Sequence, residues 1–185
     1  MGAIGRAFLA VVPPDAVLDE LVERVHVGRR LEPDLRWVHR EQLHVTLQFL
    51  GRVDDADALV DALRAAAASV PAFEAQLGGA GAYPKPSRAS VVWAGVAVGE
   101  DRVTGLATAL RGATAALGFE SEERRFHPHV TLARRRKPKT VAALLDALGE
   151  GPIGPAFTVR DVLLIESTTT PQGARYRLVQ RFPLS

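Results

Sequence analysis

Hydrophobic and polar residues follow two different periods along this chain, and together these predict a mixture of helices and strands. A spacing of three to four residues predicts helices over 13–30, 54–68, 101–117 and 140–148; in the first, Val17, Leu21 and Val25 lie on one apolar stripe. Alternating or short apolar runs predict strands over 1–12, 35–39, 42–50, 73–79, 90–98, 129–133, 157–166 and 175–183.

The order of these elements indicates the fold class. It is β-α-β-β-α-β followed by β-α-β-α-β-β, which is typical of an α+β fold with antiparallel or mixed sheets and helices packed on one side. The Gly- and Pro-rich segments 78–86 and 151–155 are predicted to be turns. Because no linker or low-complexity stretch interrupts the pattern, we predict that residues 1–185 form a single domain.

Composition excludes several classes of protein. With 185 residues, 47% hydrophobic and 24% charged, the chain is predicted to fold rather than to be disordered. It contains no cysteine, which excludes a disulfide scaffold, a thiolate nucleophile and a cysteine-ligated metal. No apolar run approaches the roughly 18 residues that a membrane helix needs, and no clear cleavage signal is present. We therefore expect a cytoplasmic protein that does not associate with membranes.

The tetrapeptide His-Val-Thr-Leu occurs twice, beginning at His44 and at His129. Side chains two apart in a strand face the same side, so each copy presents an imidazole with the hydroxyl of Thr46 or Thr131, while its Val and Leu face a core. Imidazole transfers protons near neutral pH, and a hydroxyl can donate to a phosphate oxygen. Two such pairs facing one cleft would form an acid–base site for a phosphodiester that needs no cofactor.

The histidines have other interpretations. A histidine in a strand is often an ordinary hydrogen-bonded residue of the core. His127, together with His129 and His44, resembles a three-histidine zinc set. We favour a site without metal, because no well-placed carboxylate supports zinc, and the threonines fit phosphate better. His26 and His39 are predicted to be surface residues.

The chain resembles the two-histidine (2H) phosphoesterase superfamily, and within it the RNA 2′,3′-cyclic phosphodiesterase family, historically called 2′-5′ RNA ligases. The segments that carry the resemblance are residues 6–10, 43–51, 126–134, 165–167, 173–176 and 182–184. They extend over nearly the whole chain. One His-x-Thr motif alone is a weak signal, whereas both together, with Arg134 after the second, are specific.

The resemblance implies two α+β lobes related by a pseudo-twofold axis, with helices outside and the histidines in a central cleft. It implies metal-independent hydrolysis of a 2′,3′-cyclic phosphate at an RNA 3′ end, or in a nucleotide, to a 2′-phosphate. His44 would be the proton donor, and His129 the acceptor that activates water. Thr46 and Thr131 would hold the nonbridging oxygens, and Arg134 would bind phosphate. We expect no cofactor, and a monomer.

Basic residues cluster around the second motif. Residues 124–139 contain no acid and seven cations: Arg124, Arg125, Arg134, Arg135, Arg136, Lys137 and Lys139. We predict that this basic segment draws an RNA backbone towards the cleft; the alternative is a solvated turn. The aromatic residues Trp37, Phe49, Tyr83, Trp93 and Phe126 are predicted to be core residues more than base-stacking platforms.

Three other functions remain open from the residues and the resemblance. One is reversible 2′-5′ ligation of RNA, and a second is hydrolysis of 2′-5′ linkages or of another small cyclic phosphate. The third is a noncatalytic RNA-binding module that uses the basic segment. Two intact His-x-Thr motifs argue against this module, because binding alone needs no paired acid and base.

Overall fold

The computed structural model describes residues 2–119, 125–171 and 173–185. Within these residues the strands are β1 Ile4–Val11, β2 Arg36–Trp37, β3 Val45–Val53, β4 Phe73–Tyr83, β5 Ala89–Val98, β6 His129–Lys139, β7 Pro152–Val159, β8 Asp161–Thr170 and β9 Gly173–Pro183. The helices are α1 Asp15–Leu31, α2 Ala56–Ala68, α3 Glu100–Ala115 and α4 Ala142–Leu148. All four predicted helices are confirmed, with ends within two residues of the prediction.

The strands pair antiparallel in the order β7-β4-β5-β6-β3-β1-β8-β9, and the short β2 pairs with β6. The sheet divides at its centre into two lobes of four strands, β6-β5-β4-β7 and β3-β1-β8-β9. Only Val45 and Val130 pair across this junction. Each lobe thus has four antiparallel strands outward from this pair, which confirms the expected α+β fold of two lobes.

Helices cover one side of each lobe. α1 and α4 pack together against the lobe that contains β4 and β7, whereas α2 and α3 pack together against the lobe that contains β3 and β9. Their apolar stripes are fully buried, as at Leu21 in α1, Leu63 in α2 and Leu110 in α3. The opposite side of the sheet is left for the cleft. None of the described helices is long and apolar enough to cross a membrane.

The prediction of a turn over 151–155 was largely wrong, because strand β7 begins at Pro152. This strand lies at the edge of the sheet, where prolines such as Pro152 are tolerated because one side needs no ladder hydrogen bonds. Gly154, at φ 69°, interrupts the register and lies against Val17 of α1. The predicted strand 157–166 is two strands, β7 and β8, which separate at Arg160.

The prediction of a turn over 78–86 was also largely wrong, since β4 continues to Tyr83. Its small residues provide room for an aromatic side chain: a Cβ on Gly81 would lie 2.1 Å from Cζ2 of Trp93. Strand β6 likewise extends beyond 133 to Lys139, so the basic segment is mainly strand. The predicted strand over 35–39 is reduced to the two residues of β2.

Candidate active site

The two His-Val-Thr-Leu motifs meet at the centre of the sheet. β3 and β6 are neighbours, and the motif valines, Val45 and Val130, pair directly with each other. These valines and the motif leucines, Leu47 and Leu132, are buried, as predicted. Because side chains alternate along a strand, the histidine and threonine of each motif lie on the opposite side, in the cleft.

His44 is held by two short hydrogen bonds. Its Nδ1 lies 2.7 Å from the carbonyl oxygen of Gln42, and its Nε2 lies 3.0 Å from Oγ1 of Thr46. Because a carbonyl oxygen only accepts, Nδ1 must carry a hydrogen and donate it. Nε2 is therefore the nitrogen that gains or loses a proton, and it lies beside the threonine hydroxyl.

His129 is oriented by the same kind of backbone hydrogen bond in the other lobe. Its Nδ1 donates to the carbonyl oxygen of His127 at 2.8 Å, which again leaves Nε2 as the titrating nitrogen. In both motifs the carbonyl belongs to the residue two positions before the histidine. The chain thus fixes both imidazoles in the same tautomer by a local backbone contact, which supports proton transfer at Nε2.

Aromatic rings enclose both imidazoles. Phe8 stacks on His44 at 4.8 Å between ring centroids, and Tyr176 meets the same ring edge-on at 5.5 Å. In the other lobe Tyr83 meets His129 edge-on at 5.3 Å, and Trp93 lies 5.9 Å away. These rings remove water from the imidazoles, so they favour the uncharged form of each histidine.

The pKa values of both histidines are lowered. Burial lowers the pKa of His44 from its ordinary value of 6.5 to about 4, and the positive charges of Arg134 and His129 act in the same direction. Burial also lowers the pKa of His129, with further contributions from the charges of His127 and Arg134. An anion bound between them would oppose these effects, because it stabilises a protonated imidazole.

A β-bulge follows each threonine, at the leucine of each motif. In β3 the partners of Leu9 and Ala10 are Gln48 and Thr46, so Leu47 is the extra residue. In β6 the partners of Val92 and Trp93 are Ala133 and Thr131, so Leu132 is extra. An extra residue reverses the alternation of all side chains beyond it. The residue three after each threonine therefore also faces the cleft.

The residues that the bulges bring into the cleft are Arg134 in β6 and Phe49 in β3. Arg134 lies 3.4 Å from Oγ1 of Thr131 through its Nη2, so the predicted phosphate ligand does join the motif. Phe49 occupies the equivalent place beside Thr46 and is 61% exposed, which corrects its prediction as a core residue. The pseudo-symmetry is thus broken chemically, with a cation on one strand and an exposed aromatic ring on the other.

Two cavities flank the motifs, and both are lined by Thr46, Phe49 and Arg134. The larger, of about 690 Å³, also contains His129 and is lined further by Tyr83, Pro84, Ser90, Arg111, Arg125, Phe126 and His127, among others. The smaller, of about 450 Å³, contains His44 and Thr131 and is lined further by Arg36, Trp37, Val38, His39, Gln42, Gly173, Ala174 and Tyr176. The five predicted site residues therefore lie around one cleft with room on both sides.

The three-histidine zinc alternative finds no support in the geometry. Nδ1 of His127 lies 3.1 Å from a carboxylate oxygen of Glu100, and its ring packs edge-on against Trp93. No group of three histidine or acidic side chains among the described residues converges as a metal site would require. His26 and His39 are exposed, as predicted, although His39 also lines the smaller cavity.

The basic segment is less uniform than its composition suggests. Arg125 and Arg134 line the larger cavity, whereas the side chain of Arg135 is buried on the other side of β6, 3.6 Å from Glu32. Arg136, Lys137 and Lys139 are exposed along the strand. Arg124 lies outside the described residues. Alternation along β6 therefore divides these cations between two faces, which composition alone does not reveal.

Several cleft residues were not among the predicted site residues. Phe8 and Tyr176 come from distant strands, and Arg111 reaches the cleft from α3, where Nη2 donates to the carbonyl oxygen of Leu47 at 3.0 Å. Arg36 comes from β2, which local pattern predicted only as part of a longer strand. These positions depend on strand pairing over long separations, so no local period could identify them.

Known proteins resemble this chain over most of its length. The family model described as the 2′-5′ RNA ligase superfamily matches residues 13–171. The RNA 2′,3′-cyclic phosphodiesterase of Aeropyrum pernix is 34% identical over 146 residues, covering 77% of this chain and 82% of that protein. The protein of the same name from Archaeoglobus fulgidus is 33% identical over 178 residues, covering 96% of this chain and 99% of that protein.

Solved structures agree with the sequence comparison. The crystal structure of E. coli LigT complexed with 3′-AMP matches with a TM-score of 0.76 and 27% identity, covering 98% of this chain and 99% of that one. The match therefore includes both lobes and both motif strands. With the family model spanning most of the sequence and two motif strands paired at the centre of a two-lobed sheet, the chain belongs to the 2′-5′ RNA ligase superfamily.

Proposed function

We propose that this protein hydrolyses the 2′,3′-cyclic phosphate at an RNA 3′ end to a 2′-phosphomonoester by acid–base catalysis with two histidines. The observation that carries the proposal is the matched pair of imidazoles, each with Nδ1 fixed on a carbonyl oxygen so that Nε2 is the titrating nitrogen. The names of the relatives from Aeropyrum pernix and Archaeoglobus fulgidus support this substrate. Since both lobes contribute to the site, we propose that residues 1–185 act as one domain.

The reaction needs one base and one acid on opposite sides of phosphorus. One neutral Nε2 accepts a proton from the attacking water, the new P–O bond forms, and the bond from phosphorus to the ribose 3′ oxygen breaks. The other Nε2, protonated, delivers its proton to that leaving oxygen. The hydroxyls of Thr46 and Thr131 donate to the nonbridging oxygens, and Arg134 neutralises their charge. These residues account for positioning, proton transfer and charge without a cofactor.

We assign His44 as the proton donor and His129 as the acceptor, in the order that the family resemblance implies. In the protein without substrate, burial lowers the pKa of His44 to about 4. The donor must therefore gain its proton when an anionic phosphate enters, because the phosphate opposes the effects of burial and of Arg134. Thr46 supports this state, since its Oγ1 can accept a hydrogen bond from the protonated Nε2.

The proposed function is tested with a 2′,3′-cyclic mononucleotide and with a 2′,3′-cyclic-phosphate RNA oligonucleotide, both in EDTA. We expect a 2′-phosphate product from each. The variants His44→Ala and His129→Ala should each lower kcat by about 10²-fold or more if each imidazole transfers a proton. Turnover at the parent rate by either variant would contradict the proposal, and tight RNA binding without turnover would favour a noncatalytic RNA-binding module.

A substrate with an activated leaving group separates the two roles. A nitrophenyl ester of a nucleotide leaves as a weakly basic phenolate, so it needs no general acid but still needs the base. We expect His44→Ala to recover most of its activity on this substrate and His129→Ala to recover little. The opposite result would reverse the assignment, with His129 as donor, and would leave the two-histidine mechanism intact.

A further inference from the structure

Strand β2 brings a second arginine to the cleft, beside the phosphate ligand Arg134. β2 consists of two residues, and it pairs with β6 so that Arg36 lies directly opposite Arg134. Residues directly opposite each other in an antiparallel pair point to the same side of the sheet. Arg36 therefore faces the cleft, and it lines the smaller cavity together with His44 and Tyr176.

The backbone fixes this position firmly. The residue after β2, Val38, donates its N–H to the carbonyl oxygen of Leu132 at 2.9 Å. This bond continues the pairing of β2 with β6 by one residue, at the bulged Leu132. The adjacent Trp37 is buried, and its Nε1 donates to the carbonyl oxygen of Glu32. Arg36 thus projects from an anchored segment rather than from a free loop.

The electrostatics of this pair favour a bound anion. Like charges directly opposite each other on neighbouring strands destabilise a sheet. Elsewhere arginines pair with carboxylates, as Arg40 does with Asp15 and Asp19, and Arg177 with Glu166. In the described part of the chain, no carboxylate lies within ion-pair distance of Arg36 or Arg134, although both face an open cavity.

The two guanidinium groups have different positions relative to the reacting phosphate. Arg134 contacts Thr131 and lowers the pKa of both catalytic histidines, so it belongs to the scissile phosphate. Arg36 lies one strand further out, on the wall of the smaller cavity. The nearest other anion on an RNA 3′ end is the phosphodiester that precedes the terminal nucleotide.

We propose that Arg36 binds this internucleotide phosphate, so that the smaller cavity receives the RNA strand and the enzyme prefers an RNA end to a cyclic mononucleotide. This inference rests on the proposed function and deepens it. Arg36 is a substrate-binding residue for the strand that precedes the reaction centre. Arg36 does not contact the reacting atoms. Its loss should therefore lower kcat/KM only for substrates that contain the upstream phosphate.

The experiment compares three substrates: a 2′,3′-cyclic mononucleotide, the dinucleotide that ends in the same cyclic phosphate, and that dinucleotide with an uncharged methylphosphonate linkage. For the parent enzyme we expect kcat/KM to fall about tenfold when the linkage loses its charge, as for loss of one charge-assisted hydrogen bond. In Arg36→Ala, the charged and uncharged dinucleotides should be hydrolysed equally well. The quantity that tests the contact is the difference between the parent and Arg36→Ala in how much kcat/KM depends on the charge of the linkage.

Arg29→Ala is the matched control, because it removes one exposed charge from the last turn of α1, away from both cavities. It should keep the parent preference for the charged linkage. With a longer RNA, Arg36→Ala should also reduce the slope of log(kcat/KM) against log salt by about 0.7, the value for one contact to a single strand.

Each outcome has a distinct meaning. An equal loss in Arg36→Ala on mononucleotide and dinucleotide would place Arg36 on the scissile phosphate and overturn the inference. A parent enzyme that hydrolyses the mononucleotide but ignores the charge of the linkage would overturn it as well. A parent enzyme that hydrolyses none of the three substrates would instead contradict the proposed function. Arg36→Gln provides a second variant, and hydrolysis of the mononucleotide by either variant shows that its site is folded.

Discussion

The pH dependence of hydrolysis follows from the lowered pKa values of His44 and His129. Catalysis needs one protonated and one neutral imidazole, so kcat/KM should be bell-shaped, and its two limbs report the pair in the free enzyme. Burial lowers the pKa of His44 to about 4 and also lowers that of His129 below 6.5. The bell should therefore be centred on the acidic side of pH 6.5, whichever histidine is the donor.

The magnitude of the alkaline limb can be derived from these values. Above the higher of the two pKa values, the singly protonated pair becomes tenfold rarer with each pH unit. Because that pKa lies below 6.5, kcat/KM at about pH 8.5 should be at least roughly 100-fold below its maximum. The phosphodiester substrate does not titrate in this range, so the decline belongs to the enzyme.

The assay is the initial rate of 2′,3′-cyclic mononucleotide hydrolysis from about pH 4 to 9 at constant ionic strength. The nitrophenyl substrate is the control, since without a need for the acid its alkaline limb should flatten. Titration of the imidazoles by NMR should place the midpoint of His44 near 4. A level kcat/KM between pH 6.5 and 8.5, or both midpoints at 6.5, would refute the reasoning from burial.

Two predictions concern stability. Because the folded pKa of His44 lies below its unfolded value, the free energy of unfolding falls as pH drops from 6.5 towards 4. His44→Phe lacks this titration. Between about pH 7 and 4.5, urea unfolding should therefore show a decrease in the free energy of unfolding that is roughly 2 kcal/mol smaller in His44→Phe than in the parent. An identical pH dependence in both proteins would contradict this. Gly81→Ala should cost about 1–3 kcal/mol, because its Cβ would clash with Trp93. The control Gly105→Ala, with nothing within 4 Å, should stabilise α3 slightly, and equal effects at both glycines would disprove the argument from the clash.

Local patterns sufficed for the helices and for the inner part of the site. The stripe of Val17, Leu21 and Val25 predicts α1 because a helical period is a property of neighbouring residues. The alternation in each His-Val-Thr-Leu motif likewise places His44 and His129 opposite their buried neighbours. The pairing of the two motifs in one cleft came from the family resemblance, because no local rule states which distant strands become neighbours.

Strand pairing decided what local patterns left open. Along a regular strand Arg134 and Phe49 would face away from Thr131 and Thr46, and only the bulges at the motif leucines bring them into the cleft. A bulge is a mismatch between two strands, so it has no signature in either strand alone.

The same reason applies at the edges of the site and of the sheet. Arg36 lies opposite Arg134 only because β2 pairs with β6. Pro152 is tolerated only because β7 lies at the edge of the sheet. By itself the sequence determined which residues can transfer protons and which faces are apolar, since both follow from side-chain chemistry and local period. The tertiary structure alone decided which cations share a cavity with those histidines, because register between distant strands is a property of the assembled sheet.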